Sequence, residues 1–129
     1  MAEILDLNPE TFADAVAQDR IVLVDAWAAW CGPCRVFAPI FEKAADDHPD
    51  HVFAKLDTEA HKDLVGKLGI VNIPTLMIYR EGILLYHEAG SPTADVLEDL
   101  IKQVESLDMA VVRAEIAAEE AGSGQADQA

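Results

Sequence analysis

The stretch Val24–Pro39 reads VDAWAAWCGPCRVFAP and carries the chain's two cysteines, Cys31 and Cys34. It begins inside RIVLVDAWA, a nearly continuous apolar run rich in β-branched residues. Such a run predicts a central strand covered on both faces, the signature of a parallel sheet. After the cysteines the pattern changes to helical spacing. A helix is expected from Pro33 to Asp47, with Val36, Phe37, Ile40, Phe41 and Ala44 as its buried stripe. Pro39 removes one backbone bond, to the carbonyl of Arg35, so a kink is expected there.

Outward from this core the same alternation continues. EILDL (Glu3–Leu7) reads as a short edge strand. Asn8-Pro9 supplies an N-cap and a proline at the first helical position, ahead of a face made by Phe12 and Val16. VFAKLD (Val52–Asp57) is the next strand, and a short helix is expected over Thr58–Lys67, with Gly69 near its end. TLMIYRE and ILLYHEA flank Glu81-Gly82 and predict a β-hairpin. Ser91-Pro92 repeats the cap-plus-proline device before a helix from Pro92 to about Glu105. The order is βαβαβα followed by ββα. It predicts an α/β fold whose mixed central sheet joins a parallel βαβ half to an antiparallel ββα half.

Two segments follow: a domain over residues 1–106 and a C-terminal extension over 107–129. In the extension, Met109, Val112 and Ile116 stand at helical spacing behind a candidate cap, Asp108. GSGQADQA at its end is flexible by composition. The simpler reading is an added helix that packs weakly. The sharper one is a helix that holds a partner or a second copy.

Composition narrows the function classes. The 129 residues are 51% hydrophobic, enough for a core that needs no disulfide staples. Twenty-four acids against nine bases give a net charge of −15. Nucleic acid and anionic membrane are therefore excluded as partners, since both need clustered Lys and Arg. No apolar stretch approaches the roughly 18 residues of a bilayer span. The N-terminal MAEILDLNPE lacks the basic and apolar regions of a secretory signal. The expected compartment is the cytoplasm, where thiols are kept reduced, and the default state at this charge is a monomer.

Cysteines three apart on a helix share one face, at a Cα separation that a disulfide tolerates. If the helix starts at the motif, its unpaired N–H groups and dipole favour the Cys31 thiolate, the form that attacks disulfides. Cys34, one turn in and less exposed, is placed to attack a mixed disulfide on Cys31. Zinc is disfavoured: it wants four ligands, there is no second Cys pair, and His48, His51, His61 and His87 show no coherent ligand spacing. A structural disulfide is disfavoured by the expected compartment. Asp25 is the second clue. A carboxylate in a strand covered on both faces is costly unless paired or protonated, and desolvation raises its pKa toward the range of a useful proton carrier. Lys55, on the neighbouring expected strand, is its candidate partner.

VDAWAAWCGPCR, AKLD, IPTLMIYREG and AGSPTADVLEDLI, in this order over about Ile4–Glu105, resemble the thioredoxin family. The resemblance implies a thioredoxin fold, with helices on both faces of the sheet. It implies Cys31 as attacking thiol, Cys34 as resolving thiol, Asp25 as the buried acid assisting Cys34, and Lys55 nearby. Pro74 is implied to be a cis-proline facing the cysteines, with the Ile73 backbone pairing with an extended substrate. Trp30, Gly32, Pro33, Ile73 and Gly90 are implied to form an apolar contact surface, with Trp27 packed behind. The implied activity is reduction of protein disulfides, with no bound cofactor and no metal. Electrons are implied to come from NADPH through thioredoxin reductase. An oxidase or isomerase is disfavoured by Gly-Pro between the cysteines. A binding module that uses the same surface and the tail is the alternative from another class. Ala26, Ala29, Asn72 and the tail depart from the family pattern. Of these, Asn72 and the tail bear on target choice and oligomeric state, and none on the reaction.

Overall fold

The computed structural model describes the backbone of residues 2–128, with side chains through residue 122. Met1 and Ala129, the outer ends of the two expected segments, lie outside the described residues. The elements are β1 (Ile4–Asp6), α1 (Phe12–Val16), β2 (Ile21–Trp27), α2 (Gly32–Asp47), β3 (Val52–Asp57), α3 (Lys62–Lys67), β4 (Thr75–Arg80), β5 (Ile83–Ala89), α4 (Ala94–Ser106) and α5 (Met109–Gln128). The strands form one five-stranded sheet in the order β1-β3-β2-β4-β5. β3 runs parallel to β1 and to β2, while β4 runs antiparallel to β2 and to β5. The expected mixed fold is therefore the observed one.

β2 lies at the centre and is buried through six of its seven residues. Its alternating side chains feed two cores. Val22, Val24 and Ala26 pack with Phe12, Val16, Leu56 and Met77 on one face. Ile21 and Leu23 pack with Phe37, Phe41, Phe53, Leu97 and Ile101 on the other. Phe41 sits between Phe37 and Phe53 at ring-centroid distances of 5.7 and 5.2 Å, a geometry aromatic pairs favour. α2 is continuous through Pro39, whose residue is exposed.

Val36 departs from the expected stripe: it is 63% exposed, and Cys34, Phe37, Phe41, Ala44 and Ala45 form the buried face. Three helix starts also move inward, each for a local reason. Asn8 Oδ1 accepts from the N–H groups of Glu10 and Thr11, both at 2.9 Å, so it closes a turn and regular helix begins at Phe12. Asp57 Oδ1 does the same for Glu59 and Ala60, so α3 begins at Lys62 rather than Thr58. Thr93, not Ser91, caps α4, its hydroxyl accepting from the Val96 N–H at 3.3 Å.

The ends are better matched. Gly69, at φ +68°, stops α3 with the paired bonds Gly69 N–H to Gly66 and Ile70 N–H to Val65. Glu81 and Gly82 both have positive φ, the turn that suits a tight hairpin. In α5, Asp108 Oδ1 accepts from Ala110 and Val111 as a cap. Met109 is buried, and Val112 and Ile116 are half-buried. Arg113 pairs with Glu81 of the hairpin turn. Helical backbone continues to Gln128, over most of the stretch whose composition reads as flexible. Among the described residues no helix is long and apolar enough to cross a membrane.

Truncating Phe41 to alanine opens a cavity where both neighbouring rings lose contact. Phe41→Ala is expected to lower unfolding free energy by about 3–5 kcal/mol in urea titrations. A loss below about 1 kcal/mol would mean that the aromatic cluster does not hold α2 on the sheet.

Candidate active site

The fold brings the opening stretch together at the carboxyl end of β2, where open α/β sheets commonly place their sites. Cys31 is the N-cap residue of α2, with extended backbone, and Pro33 occupies the first turn, where its missing N–H costs nothing. Cys31 and Cys34 are joined as a disulfide with their Cα atoms 5.2 Å apart. The Cys34 N–H points at Cys31 Sγ from 3.2 Å, so a helix-terminal donor is already aimed at that sulfur. The expected difference in exposure is absent: the two residues are 4% and 3% exposed. What separates them is their surroundings.

Cys31 Sγ lies 3.8 Å from the Ile73 carbonyl oxygen. The Ile73–Pro74 bond is cis, as the resemblance implies. Pro74 is buried, and its carbonyl accepts the Gly90 N–H at 2.8 Å, which brings the β5–α4 turn to the same loop. Thr75 donates its hydroxyl to the Asn72 carbonyl and closes that loop from below. Trp30 stands 65% exposed beside the cysteines, its indole N–H donating to Glu59 Oε1 at 3.1 Å. Gly32 and Pro33 are exposed.

Cys34 faces inward. With Trp27, Ala28, Ala29, Arg35, Ala38 and Lys55 it lines a small cavity of about 180 Å³. Arg35 reaches back to the Ala29 carbonyl through Nε and Nη2, at 3.3 and 2.8 Å, and fixes the loop between β2 and α2. Lys55 Nζ sits 5.7 Å from the Trp27 ring centroid. Trp27 and Ile73 both pack against the cluster of Ala28, Cys31 and Cys34, and the Trp27 carbonyl accepts both the Thr58 N–H and hydroxyl.

Asp25 lies opposite Lys55 in the β2–β3 register and opposite Leu76 of β4. It is fully buried, and neither carboxylate oxygen has a hydrogen-bond partner. Burial pushes its pKa up from 3.8 to about 6, against the opposing pull of the Lys55 ammonium. The carboxyl is thus kept near the point where it takes up or releases a proton at neutral pH.

Of the residues singled out in the sequence, Cys31, Cys34, Trp27 and Ile73 form one cluster. Lys55 shares the cavity behind Cys34, and Gly90 is tied to Pro74. Sequence reasoning missed Val36 and Val71 as surface groups; they are 63% and 87% exposed. Val36 stands four residues after Gly32, on the same helix face as that exposed glycine. It missed Glu59 as the partner of Trp30, since nothing local marks that contact. Among the described residues, His48 and His51 come together with Glu105 at the other end of the sheet, an arrangement that their sequence spacing does not signal, whereas His61 and His87 belong to no such group.

Comparison with known proteins agrees with this geometry. The thioredoxin family model matches residues 3–103. The putative thioredoxin 2 of Streptomyces coelicolor is 44% identical over 124 residues, covering 96% of this chain and 92% of that protein. The thioredoxin of Alicyclobacillus acidocaldarius is 43% identical over 101 residues, covering 78% and 96%. Among solved structures, thioredoxin from Trypanosoma brucei brucei superposes with a TM-score of 0.75 at 27% identity, covering 81% of this chain and 93% of that one. A mutant thioredoxin from Halobacterium salinarum gives 0.75 at 30%, covering 82% and 94%. Thioredoxins carry no bound cofactor, take disulfides as substrates and are served by a reductase. With its cysteine pair closed as a disulfide in the position the family uses for redox exchange, the chain belongs to the thioredoxin family and is a thiol–disulfide oxidoreductase acting as a protein-disulfide reductase.

Proposed function

We propose that Cys31 is the attacking thiol and Cys34 the resolving one. The Cys31 thiolate attacks a target disulfide, forming a mixed disulfide and releasing one target thiolate. Cys34 then loses its proton to Asp25 and attacks the Cys31 sulfur. That step breaks the mixed disulfide, releases the second target thiolate and leaves Cys31–Cys34 oxidised. Two electrons pass from the dithiol to the target. The observation that carries this reading is the Cys34 N–H aimed at Cys31 Sγ at the start of α2. A donor there stabilises negative charge on Cys31 and not on Cys34.

Lys55 keeps the ionised form of Asp25 within reach by its attraction across the strand pair. Trp30, Gly32, Pro33, Ile73, Pro74 and Gly90 are assigned to the surface that meets the target, with the Ile73 backbone pairing with an extended segment. Thioredoxin reductase, drawing on NADPH, restores the dithiol. Residues 1–106 are the redox domain and 107–129 an extension. The protein works as a monomer in the cytoplasm, where a cysteine pair serves chemistry better than it serves as a staple.

Cys31→Ser is expected to abolish turnover of a disulfide-bonded protein substrate. Cys34→Ser is expected to accumulate a target-linked adduct on non-reducing gels. Full turnover by the Cys31 variant would refute the assignment.

Asp25 sets function against stability. Between about pH 4 and pH 6 the folded chain holds a proton on Asp25 that the unfolded chain has released. Stability contributed by this group therefore falls as pH rises through that window, and above it a cost of about 3 kcal/mol remains. Asp25→Asn is expected to raise the unfolding free energy of the oxidised protein by up to about 3 kcal/mol at pH 7, a gain that fades below about pH 4. The same variant is expected to slow release of the reduced target by up to about 10²-fold. A stability gain independent of pH would contradict the buried, proton-exchanging carboxyl.

A further inference from the structure

At the end of the sheet away from the dithiol, α2 stops at His48 and the chain turns through Pro49 and Asp50 to His51, next to the start of β3. The His51 N–H donates to the His48 carbonyl at 3.1 Å and closes this four-residue turn. Pro49 holds its second position, where a preset φ makes the turn stiff. The turn lays the two imidazoles face to face, with centroids 5.5 Å apart and planes 9° from parallel. Two carboxylates from α4 meet them. Glu98 Oε2 is 2.7 Å from His48 Nε2, and Glu105 Oε2 is 2.7 Å from His51 Nε2. The imidazole side chains are 20% and 12% exposed, so both rings are held before any ligand arrives. One nitrogen of each ring and one carboxylate oxygen of Glu105 all lie within 4.8 Å of one another.

We propose that His48, His51 and Glu105, with Glu98 beside them, bind a divalent transition cation of the zinc class. Two imidazoles and a carboxylate suit such ions better than magnesium or calcium, which prefer oxygen ligands alone. Three protein ligands with one position left to water is a coordination that zinc adopts. Ligand atoms about 2.0–2.1 Å from a tetrahedral ion stand roughly 3.4 Å apart, so side-chain rotations of about 1 Å convert the present spacing into that geometry. The carboxylates of Glu98 and Glu105 balance the ion's charge. The net charge of −15 raises the local concentration of cations around the whole chain. A bound ion joins the α2–β3 corner to α4, which are some fifty residues apart in sequence. It stabilises the folded chain by mass action. The site stands at the opposite end of β3 from the dithiol, so it does not use the redox chemistry.

The test is calorimetric titration of Zn²⁺ into the untagged full-length protein, kept oxidised so that Cys31 and Cys34 offer no thiolate. The expected result is saturable one-to-one binding, with a thermal unfolding midpoint that rises with Zn²⁺. Glu105→Gln and His51→Ala are each expected to weaken binding by more than about tenfold, with disulfide reduction unchanged. Glu105 is exposed, so its variant keeps the fold, and its circular dichroism spectrum checks this. No saturable uptake by the wild type, or equal binding by both folded variants, would overturn the site and leave the two His–Glu pairs as hydrogen-bonded ties only.

Discussion

Strand β2 is hydrogen-bonded along both edges, to β3 on one side and β4 on the other, and covered by side chains above and below. Every other element takes its place from that constraint. β3 must run parallel, so α2 has to carry the chain back across one face, and its first residue falls just past the carboxyl end of β2. β4 must run antiparallel and brings the Ile73–Pro74 loop to the same end. The dithiol and the loop that faces it are therefore neighbours because the first follows the carboxyl end of β2 and the second leads into the antiparallel β4 beside that same end. Burial of β2 supplies much of the stability, and it also removes water from Asp25, which sits within it without a partner.

The parts legible in the sequence were those that follow from short-range chemistry. A nearly continuous apolar run rich in β-branched residues predicts a strand with both faces covered, and β2 is one. Cysteines three apart followed by helical spacing give the start of α2. Glu81-Gly82 between two strand patterns gives a hairpin, and the turn takes positive φ at both residues. Two of the three misplaced helix starts share one cause, and in the third the cap falls on Thr93, two residues after Ser91. Asn8 and Asp57 do bind backbone N–H groups as caps do, but around turns that precede the helix. Side-chain identity reveals the bond and not the dihedral angles beyond it. Val36 and Phe37 are adjacent apolar residues, and periodicity alone did not decide which of them faces the sheet.

Non-local contacts were the illegible remainder. The register pairing Asp25 with Lys55 was foreseeable from neighbouring strands, but the orphaned state of the carboxylate was not. Trp30 and Glu59 are 29 positions apart, and His48 and Glu98 are 50 apart. No spacing rule spans such intervals, because the α2–α4 approach that creates the second pair is set by how Phe37, Phe41, Leu97 and Ile101 fill the core between them.

Arg80, at the last position of β4, donates through Nη1 to the carbonyls of Val104, Glu105 and Leu107. One guanidinium thus gathers the free acceptors where α4 ends and the chain bends toward α5. Thr75, at the first position of the same strand, adjoins the cis-proline loop. They are the two ends of this six-residue strand, roughly 17 Å apart. The polypeptide is in effect a two-ended tool. Its reactive tip and the mooring of its tail share one rigid rod, so the tail's first turns can be lengthened, shortened or joined to another chain without re-aiming the tip.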